Sequence, residues 1–147
     1  MEIEKIRKIL KKEPEDAVDE LLGDVKERYG EVPYIMNFMK DMPELLIPKV
    51  IYDNSIMREF KRMDPKTVEL ISIGVSAALR CDHCLKMHIR IANRLGITKK
   101  EIFDAILIGG TLSNASVLAE GTRALDSELS CEGGTGEMCD VCDLSVD

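Results

Sequence analysis

The chain has 147 residues, 45% apolar and 32% charged, an ordinary balance for one globular domain large enough to bury a real core. Aromatics make up only 4% and Trp is absent, so the core must be aliphatic, with eight Met as adaptable filler. Of the net charge of −7, five acids lie in the last eighteen residues, which hold no Lys or Arg; the remainder is too close to neutral to attract nucleic acid.

Residues 2–12 place Ile3, Ile6, Ile9 and Leu10 at helical spacing among Lys and Arg, which predicts a short amphipathic helix. Pro14 opens a second, with acids in its first turn, Lys26 and Arg28 in its last, and Gly30 as a left-handed cap. Residues 33–41 and 43–60 read as two more, each opened near a proline, and Pro48 predicts a kink or a delayed start in the second. Asp64 and Pro65 form a helix start, as N-cap and first helical residue. From 68 to 79 that helix is apolar on nearly every side, which predicts burial all round. Its polar exceptions, Glu69, Ser72, Ser76 and Arg80, fall on one stripe, and an acid buried there must be hydrogen-bonded or protonated. Ser72 and Ser76 read as packing residues.

A break at 80–82 starts the next helix, which runs to Leu95 and stops at Gly96. Thr98 and Glu101 form a capping box for a last helix, whose middle carries Gly109, Gly110, Ser113, Ala115 and Ser116. Those small residues suit close approach by another helix, within the subunit or from a neighbour. No stretch alternates with a two-residue period, so the fold class is all-α, a single helical domain over residues 1–129. Residues 130–147 are glycine-rich, acidic and aperiodic, an irregular tail carrying Cys131, Cys139 and Cys142. Three thiols are one short of a closed tetrahedral site, so a metal there is a weak expectation beside free thiols, a disulfide or electron transfer to the other cysteine pair. No apolar run approaches the roughly 18 residues that span a bilayer. The N-terminal segment lacks a signal peptide's apolar centre, so a cytoplasmic protein with no membrane partner is expected.

The chemistry concentrates in eight residues, where both histidines join two of the five cysteines. In the cytoplasm a C-x-x-C such as Cys81–Cys84 signals redox chemistry or metal. Both thiols lie at a helix N-terminus, which favours the thiolate, and His88 follows Cys84 by one turn, near enough to exchange its proton. Glu69, from another helix, is placed to orient His88 or draw its proton. This is a base–relay–nucleophile arrangement. Attack of Cys84 on a peroxide gives a sulfenic acid that Cys81 resolves to a disulfide. The competing reading is a metal site of Cys81, His83, Cys84 and His88, or a redox-sensing scaffold. It is weakened because the two histidines, five apart, diverge by about 140° around the helix. His83 is equally open to a solvent-facing role.

The set Glu69-x11-Cys81-x-His83-Cys84-x3-His88 resembles the active-site signature of the alkylhydroperoxidase D-like proteins of the carboxymuconolactone decarboxylase superfamily, over about residues 40–125. The resemblance implies an all-helical fold assembling as homo-oligomers, trimers or hexamers. It implies a thiol-dependent peroxidase or disulfide reductase that requires no cofactor and is recharged by a lipoyl-bearing or thioredoxin-like dithiol protein. Cys84 then corresponds to the peroxidatic cysteine, Cys81 to the resolving one, and Glu69, His83 and His88 to the proton relay. The N-terminal region is too short for the duplicated half of larger members, so a partner subunit is expected to complete the site. The tail cysteines depart from the family pattern. The decarboxylase branch generally lacks the cysteine pair, which makes its lactone chemistry the poorer expectation.

Overall fold

A computed structural model describes residues 3–59 and 62–130. The cysteine-bearing tail, with its candidate metal ligands Cys131, Cys139 and Cys142, lies outside the described residues. Among the described residues seven α-helices follow one another, α1 (Ile3–Ile9), α2 (Pro14–Tyr29), α3 (Tyr34–Phe38), α4 (Pro43–Asn54), α5 (Pro65–Ala78), α6 (Asp82–Arg94) and α7 (Lys99–Leu129), and no strand occurs. The fold is all-α, as the sequence predicts.

Local chemistry sets most boundaries. Asp64 accepts hydrogen bonds from the Lys66 and Thr67 amides, and the Thr98–Glu101 box is formed in both directions. Gly30 adopts φ 82° and its N–H donates to the Lys26 carbonyl at 2.8 Å. Pro48 sits inside α4 rather than delaying it, since the helix already begins at Pro43. Past Asn54 the chain widens into a π-helical turn, Ser55–Glu59.

α5 and α6 both end in a Schellman motif. After α6, Gly96 (φ 72°) donates to Asn93 and Ile97 donates to Ala92. After α5 the left-handed position is taken by Arg80 at φ 55°, with Arg80 N–H on Ala77 and Cys81 N–H on Ser76 at 2.9 Å. Cys81 thus closes one helix and caps the next.

Two hydrophobic clusters flank α6. Ile9, Leu21, Val25, Leu46 and Val50 pack on Met87 and Ile91, while Ile73, Ile97 and Ala105 pack with Ala92. Each cluster buries a different face of the helix that carries His88. α5 also lies on α7, and the two backbones meet at Gly74 and Gly109, where a side chain on Gly109 would collide with the Gly74 carbonyl. Gly109→Ala is therefore expected to force the helices apart, at about 1–3 kcal/mol. Gly23→Ala, at an exposed position of α2 with nothing near its Cβ, should gain up to about 1 kcal/mol from helix propensity. Urea unfolding of the two variants checks both signs.

One expectation needs correction. α5 is not buried all round, because Ile71, Val75 and Leu79 are 49%, 52% and 74% exposed. An apolar surround does not show that a neighbour covers every face. No unbroken apolar run of roughly 18 residues occurs, yet α7 as a whole is long and apolar enough to cross a membrane, by length and composition. Its most apolar stretch is interrupted by Asp104, Gly, Ser, Thr and Asn114, but its Ile, Leu, Val and Ala outweigh them in the average. Its exposed residues include Phe103, Leu107, Ile108, Leu112, Val117 and Leu118. Between α5 and α7 these apolar faces form a groove of about 560 Å³, on the side of α5 away from Glu69.

Candidate active site

Glu69 lies in the second turn of α5 and is fully buried. Its two oxygens have different partners. One accepts from Arg58 Nη1 at 2.6 Å, and the other lies 2.7 Å from His88 Nδ1. Against an ionised carboxylate Nδ1 must carry the proton, which leaves Nε2 as the ring's free base. His88 is itself 8% exposed, and α6 holds it one turn beyond Cys84.

Cys81 and Cys84 are joined as a disulfide, with their Cα atoms 5.4 Å apart. Cys81 is the N-cap of α6, and its sulfur accepts the Cys84 amide at 3.4 Å. Helix end and amide both favour negative charge on that sulfur. The backbone around Cys81 is held from both sides by this cap and by the Schellman bond to Ser76.

His83 is placed apart from this group. Its Nε2 is 3.9 Å from Glu31, its side chain is 45% exposed, and Glu31 also pairs with Arg90. The two imidazoles face different carboxylates, so the four-ligand metal arrangement is not assembled, and no metal-competent cluster occurs among the described residues. Ser72 bonds back to the Val68 carbonyl, as a packing residue does.

Arg58 is the functional-looking residue that sequence reasoning missed. It sits in the π-helical turn, eleven residues before Glu69, with its guanidinium carbon 5.3 Å from the Tyr29 ring centroid. A π-turn is itself a common mark of functional sites, but no sequence pattern announces one here.

Burial pushes the Glu69 carboxyl up, yet the His88 hydrogen bond and the Arg58 charge outweigh it and hold the group below its ordinary 4.5. A depressed folded-state value stabilises the fold above that ordinary value and is lost as pH falls through the lower folded one. Stability to urea is therefore expected to fall as the solution is acidified below about pH 4.5, and less steeply in Glu69→Gln. Two exposed caps are also held low, Asp64 by Thr67 and Glu101 by Thr98, and they supply part of the slope that remains in that variant.

An all-helical scaffold that carries a cysteine pair one helical turn before a buried carboxylate–imidazole contact defines the class. The model of the carboxymuconolactone decarboxylase family matches residues 50–126, just over half of the chain, and the protein belongs to that family. The alkylhydroperoxidase D-like proteins are a branch of the same superfamily. A relative from Paracoccus denitrificans, described as uncharacterized protein 4 in the cox locus, is 26% identical over 81 residues, covering 55% of this chain and 68% of its own length. No solved structure matches the chain significantly.

Proposed function

We propose that the protein is a thiol-dependent peroxidase and disulfide oxidoreductase that reduces alkyl hydroperoxides. Glu69, Cys81, Cys84 and His88 carry the chemistry, and His83 is an accessory. The observation that carries this reading is the 2.7 Å contact between Glu69 and His88, set one helical turn beyond Cys84. His88 takes the Cys84 proton through Nε2, and the thiolate attacks the terminal peroxide oxygen. The O–O bond breaks, the sulfur is oxidised to sulfenic acid, and the proton passes to the departing alkoxide, giving an alcohol. The Cys81 thiol then displaces the hydroxyl as water, forming the Cys81–Cys84 disulfide. An external dithiol, such as a lipoyl-bearing or thioredoxin-like protein, returns two electrons by exchange. Cys81, its charge favoured by the helix end, is the better leaving group in that exchange. No cofactor enters this cycle.

The test mixes reduced protein with tert-butyl hydroperoxide and counts thiols. The expected result is one Cys81–Cys84 disulfide for each peroxide consumed, and repeated turnover once a dithiol such as dihydrolipoamide is supplied. Peroxide survival with both thiols intact defeats the reading. The family's name keeps a second reaction in view, a decarboxylase acting on a lactone acid. That activity would persist with both motif cysteines changed to serine.

We also propose that the exposed α5–α7 groove is covered by other copies of the chain, in a trimer or hexamer. Sedimentation equilibrium giving a monomer at micromolar concentration would remove that assignment.

A further inference from the structure

We propose that Arg58, seated on Tyr29, is a positioning residue for the Glu69–His88 pair, fixing which carboxylate oxygen meets the imidazole and keeping that carboxylate an acceptor. The catalytic part of this inference rests on the peroxidase reading above; the structural part does not.

Glu69 has no solvent to share, so its charge depends on its neighbours. Left alone with an imidazole in a dry site, the carboxyl could hold the proton itself and stop orienting the ring. A guanidinium 2.6 Å from the opposite oxygen removes that option. It pins Oε1 and turns Oε2 toward Nδ1. It also balances charge: Arg58 and Glu69 cancel, so His88 can accept a thiol proton while the new thiolate offsets the new imidazolium. Among the described residues, Arg58 and His88 are the charged or titratable groups in contact with Glu69, and Glu101 and Asp104 of α7 line the groove on the far side of α5.

The way Arg58 is held supports a dedicated role. Its side chain is only 16% exposed, so its charge is balanced by protein neighbours rather than by bulk solvent. Its guanidinium carbon lies over the Tyr29 ring at a cation–π distance, while Nη1 reaches Glu69. Tyr29 is the last residue of α2, and the neighbouring Arg28 bonds buried Asn54 at 2.8 Å, so this end of α2 is tied down beside the π-turn. α2 lies outside the stretch matched by the family model. The N-terminal helices thereby reach the acid–base pair through one stacked arginine.

The experiment compares wild type with Arg58→Met, Arg58→Lys, Tyr29→Leu and Tyr29→Phe. The Glu69 carboxyl is followed by carbon-13 NMR and the His88 ring nitrogens by nitrogen-15 NMR across pH, alongside the pH profile of kcat/KM. Arg58→Met should raise the Glu69 titration, loosen the Nδ1–H tautomer and move the acid limb of kcat/KM upward, with turnover near neutrality reduced about ten- to a hundredfold. Arg58→Lys should recover part of both readouts, Tyr29→Leu should shift them the same way but less, and Tyr29→Phe, which keeps the ring but removes the hydroxyl that also attracts the guanidinium, should fall between Tyr29→Leu and wild type. Unchanged Glu69 titration and His88 tautomer in Arg58→Met overturn the inference, whatever happens to activity. If Arg58→Met does not fold, the same readouts in Arg58→Lys and Tyr29→Leu decide. NMR changes in a protein that turns over no peroxide would reject the peroxidase reading and leave Arg58 in its place.

Discussion

Cys84→Ser is expected to reduce peroxide turnover by about three orders of magnitude or more, while the fold survives. Serine is close in size to cysteine, and its hydroxyl is far less acidic than a thiol, so under the proposed mechanism it supplies no nucleophile at this position. The position is partly buried in the first turn of α6, where nothing but the disulfide depends on sulfur. Circular dichroism should therefore match wild type. Cys81→Ser should behave differently: a first peroxide is still reduced, the sulfenic acid accumulates on Cys84, and turnover stalls. Mass spectrometry of dimedone-trapped protein places the adduct. An adduct on Cys81 in wild type, with Cys84→Ser still consuming a first equivalent, would exchange the two roles.

Glu69→Ala carries the largest expected loss of stability. The change leaves the Arg58 guanidinium and the His88 Nδ1–H facing an empty space in a site with no solvent. Breaking a buried ion pair from one side costs about 3–5 kcal/mol, enough to lower Tm by about 10 °C or more in a chain of this length. Activity should fall about a hundred- to ten-thousandfold, since the base loses its tautomer and its counter-charge. Glu69→Gln retains an acceptor for Nδ1 and should lose less stability. Differential scanning calorimetry and steady-state kinetics on the two variants separate the structural loss from the chemical one. A Glu69→Ala protein with wild-type Tm would mean that the carboxylate is not the hub of this cluster.

What the sequence disclosed was whatever neighbouring residues decide among themselves. Asp64 with Pro65, Thr98 with Glu101, Gly30 and Gly96 each fix a helix end through bonds spanning a few positions, and each is found where its residue type predicts. The Glu69–His88 contact was legible because a polar stripe on an apolar helix has to find a partner, and one imidazole stood one turn beyond a cysteine. Arg58 was not legible. Its approach to Glu69 depends on the widened turn after Asn54, and its seat on Tyr29 joins residues almost thirty positions apart. Arg80 was equally hidden, since a left-handed cap normally announces itself as glycine. The burial of α5 was misread for a related reason. Composition says what a helix surface is made of, but not whether anything lies against it.

The placement of α6 between two separate cores bears on how the protein can be dissected. A fragment trimmed to residues 50–126 would retain Arg58, Glu69, both motif cysteines and both histidines. It would also strip Ile9, Leu21 and Val25 from Met87 and Ile91, and lift Tyr29 off its arginine. Such a minimal version holds every reacting atom yet should be sticky and inert, until residues 1–49 are returned as a separate peptide to clothe the bared flank.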